Sequence, residues 1–248
     1  MKKVLPALVF FCLLVLGLEL AVKWDLLAES LIPAPSTVVK TLVELQADFL
    51  AAFFETLKNV VIGLLMSIVF GGGLALIFSL SDLLKRAILP FAIFFQTVPI
   101  IAIAPLLVIY FGFGAPTVIA SSFIVSIFPM IANTLMGLES ASEAQKDLFK
   151  IYHASPLKIL FKLKLPIAYS YVYSGLKISA GLSIIGAIAG EFVSGGGLGA
   201  LIDSARTQQR VDIVFAALLL LSLMGLLFLA TLEILNRLIL KRRPFAMN

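Results

Sequence analysis

The sequence predicts an all-α integral membrane protein with six transmembrane helices. Hydrophobic residues make up 61% of its 248 residues and charged residues only 13%, whereas about a quarter of the residues in an ordinary soluble domain are charged. Residues 87–138 contain no Asp, Glu, Lys or Arg, and a transmembrane helix needs roughly 20 apolar residues. Because glycine and proline interrupt this stretch at residues 111–116, it predicts two spans joined by a tight turn.

The six predicted spans follow the uncharged runs of the chain. They cover residues 4–22, 60–80, 88–111, 116–138, 168–192 and 213–235. The first span begins like a signal peptide, but Glu19 lies where a cleavage site needs a small residue, so we expect a retained helix. Between the first two spans, Pro33 and Pro35 break the chain. Ser36 is then predicted to cap a short helix over residues 37–46, lying on the outer membrane surface.

The distribution of lysine and arginine predicts that both termini are cytoplasmic. Cytoplasmic loops carry an excess of these residues, and with both ends inside most of the 19 cations lie on the cytoplasmic side. We divide the chain into three parts. These are an N-terminal transmembrane helix with the external amphipathic helix (residues 1–48), a membrane domain (49–240) and a basic cytoplasmic tail (241–248).

Several function classes find no support in the sequence. Cys12 and His153 are the only residues of their types, so neither a disulfide within the chain nor a Cys/His metal cluster is predicted. No GxxxxGK[ST] phosphate loop occurs, and the glycine-rich residues 195–199 are predicted to form a flexible outer turn. We therefore predict no catalytic residue, no metal site and no cofactor bound by this chain. Its cations lie at span ends and in loops, which indicates membrane topology rather than nucleic-acid binding.

Polar residues within the spans are candidates for lining a translocation path. A charge at mid-membrane costs at least about 2.5–3.5 kcal/mol, so such a residue usually faces protein or water. Near a span end, however, the same residue can extend to the interface. The small residues of the fifth span recur every four positions and end on a carboxylate that could pair with Arg206; this stripe fits helix packing as well as a central path. The candidates are Gln96, Asn133, Lys177, Ser179, Ser183 and Glu191.

The loop over residues 139–166 is the strongest candidate for a functional surface. It predicts a helix over residues 142–152, a turn at 153–155 and a second helix that Pro156 opens. A solvated basic loop that only sets topology would account for its lysines, but not for the apolar residues between them. These are Leu148, Phe149, Ile151, Tyr152, Leu157, Ile159, Leu160 and Phe161. An amphipathic helix pair of this kind indicates a packing partner.

At this loop the sequence resembles the permease subunits of ABC-type importers, the type I binding-protein-dependent family. That family carries E-A-A, three residues, G, nine residues and I-x-L-P. This chain has Asp147-Leu148-Phe149, then His153 in place of the glycine, then Leu163-Lys164-Leu165-Pro166 at the same spacing. The resemblance extends over most of the chain and is greatest to the nitrate/sulfonate/taurine branch and its thiamine-precursor relatives. Its further matches are Pro33–Val38, Gln96–Pro99, Ala104–Leu106, Phe111–Gly114, Phe128-Pro129, Gly175–Ile178, Gly190–Val193 and Gly197–Gly199.

The resemblance implies a type I importer permease fold in the cytoplasmic (inner) membrane, with a cytoplasmic coupling helix. It implies two permease copies in a homodimer, ATPase subunits that bind the ATP, and an external or periplasmic solute-binding protein. The implied ATPase-coupling residues are Asp147, Leu148, Phe149, His153, Ala154, Ser155, Pro156, Leu163, Leu165 and Pro166. The motifs favour a pyrimidine thiamine precursor over a nitrate, sulfonate or taurine-type solute.

A self-sufficient secondary transporter or channel is the alternative. Genes for an ATPase and a solute-binding protein beside this one would distinguish the two. A membrane-bound enzyme is a third possibility, but the sequence shows no catalytic constellation.

Overall fold

The computed structural model describes residues 5–241, and every regular element in that range is a helix. Val4, the first residue of the first predicted span, and most of the predicted basic tail (residues 242–248) lie outside the described residues. The helices are α1 (Leu5–Lys23), α2 (Pro35–Glu44), α3 (Gln46–Leu80), α4 (Asp82–Thr97), α5 (Ile100–Phe111), α6 (Ala115–Glu139), α7 (Glu143–Ile151), α8 (Pro156–Ser194), α9 (Gly197–Thr207) and α10 (Val211–Lys241).

Four of the described helices are long and apolar enough to cross a membrane, namely α3, α6, α8 and α10. Four predicted spans lie within them, and the predicted boundaries of the fourth span differ from α6 by one residue at each end. Both α3 and α8 contain a π-helical turn, at Ser67–Gly71 and Leu160–Lys164. The helix α1 has 19 residues and covers the described part of the first predicted span. The all-helical fold class is confirmed, and the count of six spans stays a prediction.

The third predicted span is wrong as a single helix. The structure divides residues 88–111 between α4, which ends at Thr97, and α5, which begins at Ile100. Pro99 has an extended backbone with ψ 122°, and proline disfavours the helical conformation of the residue before it, here Val98. The 12 residues of α5 extend only about 18 Å, less than the bilayer core of about 30 Å.

The short helix between the first two spans also begins differently from the prediction. Ala34 is the N-cap residue of α2 and makes no side-chain cap, and Pro35 takes the first helical position, which its fixed φ suits. Ser36 instead binds α1. Its hydroxyl and its backbone N–H both donate to the carboxylate of Glu19, at 2.7 and 3.0 Å. The predicted cap is therefore a contact between two helices.

The chain divides into two compact units. One contains the residues up to Thr56 together with Gly196–Leu223, and the other contains Leu57–Gly195 and the residues from Met224 onward. In the second unit α6 packs along α8 and against the second half of α3. The buried apolar residues of this core are Val60, Ala75, Phe78, Val118, Ile131, Leu135, Leu138, Leu160, Ala168 and Ala187.

Small residues let the backbones of α6 and α8 come close together. A Cβ at Gly186 would lie 2.6 Å from the Ser121 carbonyl oxygen, and a Cβ at Gly190 would lie 2.9 Å from the Cα of Val118. Lipid provides no hydrophobic drive for helices to associate, so close packing of this kind stabilises the pair. The contact between α6 and α8 also determines which face of α8 is buried, and therefore which candidate path residues of α8 are buried.

Candidate functional site

The helix α7 is bounded by residues that local sequence rules identify. The Ser142 hydroxyl accepts the backbone N–H of Gln145 at 3.3 Å, and the Gln145 side chain accepts the N–H of Ser142 at 3.0 Å. This reciprocal capping box starts the helix. Ser155 caps α8 in turn, and Pro156 takes its first position. The predicted pair of helices and the turn between them are confirmed.

The backbone conformation at the end of α7 explains why the family motif has a glycine at the position of His153. His153 has φ 49°, and the N–H groups of His153 and Ala154 donate to the carbonyls of Lys150 and Phe149 at 2.8 and 3.0 Å. These two bonds form a Schellman motif, in which the residue at the position of His153 is left-handed and is usually glycine. His153 therefore replaces glycine without changing the turn, although a side chain in this conformation is strained.

One face of α7 is apolar and open. The exposed fractions of Leu148, Ile151 and Tyr152 are 52%, 73% and 77%. Leu157 and Phe161, in the first turns of α8, are also exposed. We call these five residues the outer face of the loop. Within the part of the chain that the structure describes, nothing covers this outer face.

The remaining residues of the predicted coupling set divide between surface and core. Asp147, Ser155 and Pro166 are exposed, and Phe149 and Ala154 are partly buried. Leu163 is buried. Leu165 packs against the cluster of Leu138, Leu160 and Ala168. The L-x-L-P end of the motif therefore anchors the loop to the membrane helices, while the outer face is what the loop presents.

Two ion pairs join charged side chains along α7. Lys146 binds Glu143 and Lys150 binds Asp147, each at 2.8 Å. The hydrogen bond from Lys146, with its positive charge, holds the pKa of the Glu143 carboxyl below its usual value. The hydrogen bond to Asp147 likewise raises the pKa of the Lys150 ammonium. Both shifts favour the charged forms of Glu143 and Lys150.

The break in the third predicted span lines a cleft of ≈ 240 Å³. Gln96 and Thr97 supply polar groups to it, and Ile124, Val125 and Leu182 supply apolar side chains from α6 and α8. Unwound backbone at membrane depth is tolerated where it is buried in protein or lines a cavity. The Val98-Pro99 pair is the sequence signal at this break, but Pro90 and Pro105 lie inside helices, so such a pair does not by itself predict where a helix ends.

The structure separates the predicted path residues into two groups. Ser179 and Ser183 are completely buried, and the Ser179 hydroxyl donates to the Ser126 carbonyl of α6 at 2.8 Å. Glu191 is 1% exposed, and Asn133 is partly buried with its amide on the Pro129 carbonyl. The small-residue stripe thus packs against α6.

Gln96 and Lys177 form the second group, since both lie at open positions. Lys177 shares its exposed face of α8 with Ser170, Ser174 and Gly181. This open polar face differs from the small-residue stripe that the sequence pattern indicated. Both stripes recur every three to four residues, so spacing alone does not distinguish them.

A polar ladder between α8 and α10 was not predicted. The Lys177 Nζ lies 4.7 Å from the ring centroid of Tyr173, and the Tyr173 hydroxyl donates to Glu233 at 2.5 Å. Glu233 also pairs with Arg237, one turn further along α10. A carboxylate followed four residues later by arginine, within an apolar helix, is the signal that could have indicated this ladder.

The glycine-rich residues 195–199 are not simply a flexible turn, because α9 begins at Gly197. The Glu55 carboxylate accepts the N–H of Gly197 at 3.0 Å, and the Thr56 hydroxyl accepts the N–H of Leu198 at 2.9 Å. An acidic group and a hydroxyl satisfy the free N–H groups of a helix start. These partners are distant in sequence, so no local pattern predicts them.

Comparison with known protein families identifies the family to which the chain belongs. Residues 59–243 match the family described as binding-protein-dependent transport system inner membrane component. The chain belongs to this family. The match includes α7, the broken span and the four long helices from Asn59 onward.

Individual relatives agree with this assignment. A probable ABC transporter permease protein of Haemophilus influenzae is 36% identical over 84% of this chain and 88% of its own length. The formylaminopyrimidine transport permease protein ThiX of Halalkalibacterium halodurans is 31% identical over 96% of this chain and 95% of its own length. The nitrate import permease protein NrtB of Leptolyngbya laminosa is 29% identical, over 69% of this chain and 62% of its own length.

A solved structure shares the fold. It is an inward-facing conformation of the MetNI methionine ABC transporter, with a TM-score of 0.67 and 18% identity over 76% of this chain and 94% of that one. The chain is thus a permease subunit of an ABC importer, a multi-pass protein of the inner membrane. It is a transport subunit rather than an enzyme. Membership of the family implies an ATPase subunit and a solute-binding protein as partners.

Proposed function

We propose that α7 is the element through which this permease binds its ATPase subunit. The observation that carries the proposal is the outer face of the loop, whose large apolar side chains are uncovered in the described chain. Exposed apolar patches of this kind indicate protein partners. The sequence has no phosphate-binding loop of its own, so we propose that this chain binds no ATP and receives the energy of hydrolysis through this contact.

Anchoring makes α7 suited to transmitting motion. The capping box and the Schellman turn define both of its ends, and Leu160 and Leu163 bury the following segment against the membrane helices. A short helix held in this way can pass a displacement of the ATPase to α6 and α8, which flank it. Such coupling requires an element with two positions, so loss of the contact should abolish transport as well as binding.

Ile151→Glu tests this role. We expect the variant to insert into the membrane normally, to lose most of the co-purifying ATPase and to lose transport, because a charge replaces an apolar side chain at the centre of the contact. Ala154→Glu should act in the same direction, in the turn that follows. Lys158→Glu places the same side chain at an exposed position of the loop outside the outer face and is the matched control. Normal ATPase capture and import by Ile151→Glu would refute the docking role.

We further propose that two copies of the chain form the translocation path, with Gln96 and Lys177 among its lining residues. The break between α4 and α5 supports this, because discontinuous membrane helices recur at the binding sites of transporters. The cation bias of the loops supports a cytoplasmic position for both termini. A cysteine at Ser204 should then react with a membrane-impermeant reagent from outside, and a cysteine at Lys158 only from inside.

Two tryptophan variants distinguish a path face from a packing face on α8. Ser174 lies on the open face that contains Lys177, and Ser183 is buried against α6. Ser174→Trp should leave the complex assembled and block uptake, whereas Ser183→Trp should lower the amount of folded permease. Uptake unchanged in Ser174→Trp would remove the open face from the path.

The solute that we propose is an aminopyrimidine related to the thiamine precursors. ThiX aligns with this chain over 95% of its own length, whereas the nitrate permease NrtB aligns over 62%. The cleft at Gln96 and Thr97 combines amide and hydroxyl groups with aliphatic walls, which suits a small ring with hydrogen-bonding substituents. Uptake of a labelled aminopyrimidine, unaffected by excess nitrate or taurine, is the expected result. Competition by nitrate would overturn the choice of solute and leave the importer assignment intact.

A further inference from the structure

A second polar cavity lies behind α7, on the side away from its outer face. Its volume is ≈ 590 Å³. The ends of two membrane-crossing helices contribute Ser79, Ser81 and Glu139 to its wall, and α7 and the start of α8 contribute three lysines, Lys146, Lys150 and Lys164. The importer function proposed above uses none of these groups. Because α3 and α6 are long and apolar enough to cross a membrane and end beside this cavity, we expect it at the depth of the lipid headgroups.

The three lysines come from two different segments. Lys146 and Lys150 are four residues apart on α7 and therefore lie on the same face of that helix. Lys164 comes from the π turn of α8, and its Nζ donates to the carbonyl of Ser79 at 3.1 Å. This bond uses one of the three N–H donors of the ammonium group. Within the described residues, no carboxylate pairs with Lys164.

The negative charges around the cavity are already matched. Lys85 binds the Glu139 carboxylate at 2.5 and 2.7 Å. Glu143 and Asp147 each bind one lysine of α7 and do not line the cavity. The wall therefore combines one carboxylate paired with Lys85, two ammonium groups paired with carboxylates outside the wall, the ammonium group of Lys164 and two serine hydroxyls. The exposed pairs of α7 are weak and leave further N–H donors of both lysines available to a ligand. Such a wall favours an anion that accepts several hydrogen bonds at once.

We propose that this cavity binds a phosphate group, and that an anionic phospholipid headgroup supplies it. Basic pockets between membrane helices bind anionic headgroups on the cytoplasmic side. Leu80, Pro156 and Ile159 add apolar wall beside the lysines, which suits the glycerol end of a lipid. A phosphate held there connects α7 to the end of α3 and the first turns of α8, and so restrains α7, the helix that presents the outer face.

The test compares two pairs of lysines in the full-length permease. Lys146→Gln combined with Lys150→Gln removes the α7 cations of the cavity. Lys158→Gln combined with Lys162→Gln removes two exposed cations of the same loop that do not line it. Each purified protein is delipidated in detergent and then titrated with phosphatidylglycerol, with phosphatidylcholine, or with inorganic phosphate alone. Bound lipid is counted by native mass spectrometry, and phosphate binding is followed by thermal shift.

The wild-type protein should retain phosphatidylglycerol in preference to phosphatidylcholine. A lysine near an anionic headgroup contributes about fivefold in affinity, so the cavity pair should weaken binding about 25-fold. The control pair should stay within about twofold of wild type. Lys150→Gln alone, matched with Lys158→Gln, serves if the double variant does not fold, and should weaken binding about fivefold.

The three ligands identify the source of the phosphate. Saturable stabilisation by inorganic phosphate, with no preference for phosphatidylglycerol over phosphatidylcholine, would retain the anion site and reject the lipid as its occupant. Equal phosphatidylglycerol binding by the cavity and control pairs, or no binding of any of the three ligands, would overturn the proposal.

Discussion

The contact between α6 and α8 allows a quantitative test of how the small-residue stripe works. Gly186→Ala adds one methyl group where the Ser121 carbonyl oxygen would be 2.6 Å away. Gly181→Ala adds the same group to the same helix, at a position with no atom within 4 Å. The two variants therefore share the change in helix propensity and differ in the space available.

The expected difference follows from these two surroundings. Alanine is about 1 kcal/mol better than glycine in a helix interior, so Gly181→Ala should be neutral or stabilising by up to about 1 kcal/mol. At Gly186 the new carbon meets a backbone oxygen, which cannot rotate away as a side chain can. Separating the helices to an ordinary contact of about 3.4 Å needs a shift of about 0.8 Å. Overpacking typically costs about 1–3 kcal/mol, and the gain in helix propensity of about 1 kcal/mol offsets part of it. We therefore expect Gly186→Ala to lose about 1 kcal/mol relative to wild type and to be about 2 kcal/mol less stable than Gly181→Ala.

Unfolding of the purified permease in mixed micelles, titrated with a denaturing detergent, measures the difference. Gly181→Ala should unfold at the same or a higher detergent fraction than wild type, and Gly186→Ala at a clearly lower fraction. Uptake assays on the same preparations report whether the folded fraction still transports. Equal stability of the two variants would show that the stripe does not control helix packing.

Two further predictions concern the ends of helices. Thr56→Val keeps the shape of the side chain but leaves the Leu198 N–H without its acceptor, and both residues are completely buried. It should cost about 1–3 kcal/mol, measured by the same detergent unfolding, whereas Thr56→Ser should retain most of the stability; no loss in Thr56→Val would show that the hydroxyl is not the cap. His153→Gly should stabilise the loop by about 1 kcal/mol, because glycine adopts a left-handed conformation without strain. Slower proteolysis of the loop, with ATPase capture at or above the wild-type level, is the expected result, and faster proteolysis would contradict the Schellman interpretation.

Much of the helical framework can be predicted from local sequence. Uncharged apolar runs have the length of a membrane span, and this requirement acts on each segment by itself. The same is true of α7, where Ser142 and Gln145 form the capping box and Pro156 opens the next helix. The order and spacing of several short motifs along the chain, the coupling loop among them, also indicate the family.

Only the tertiary structure decided which faces of these helices are buried. Ser183 and Lys177 both lie in the apolar helix α8, yet the first packs against α6 and the second is open. In lipid both faces of a helix are in apolar surroundings, so burial depends on the shape of the neighbouring helix rather than on hydrophobicity.

The effects of individual prolines and the caps of α9 also depend on the tertiary structure. Pro90, Pro105 and Pro129 lie inside helices, whereas Pro99 separates two, although the local effect of each proline is the same. The caps of α9 come from Glu55 and Thr56, more than one hundred residues earlier in the chain. The sequence by itself therefore determined that apolar helices form and where the coupling loop lies. Which faces meet, which proline ends a helix and which distant group caps α9 depend on packing between segments, because those interactions exist only once the helices are side by side.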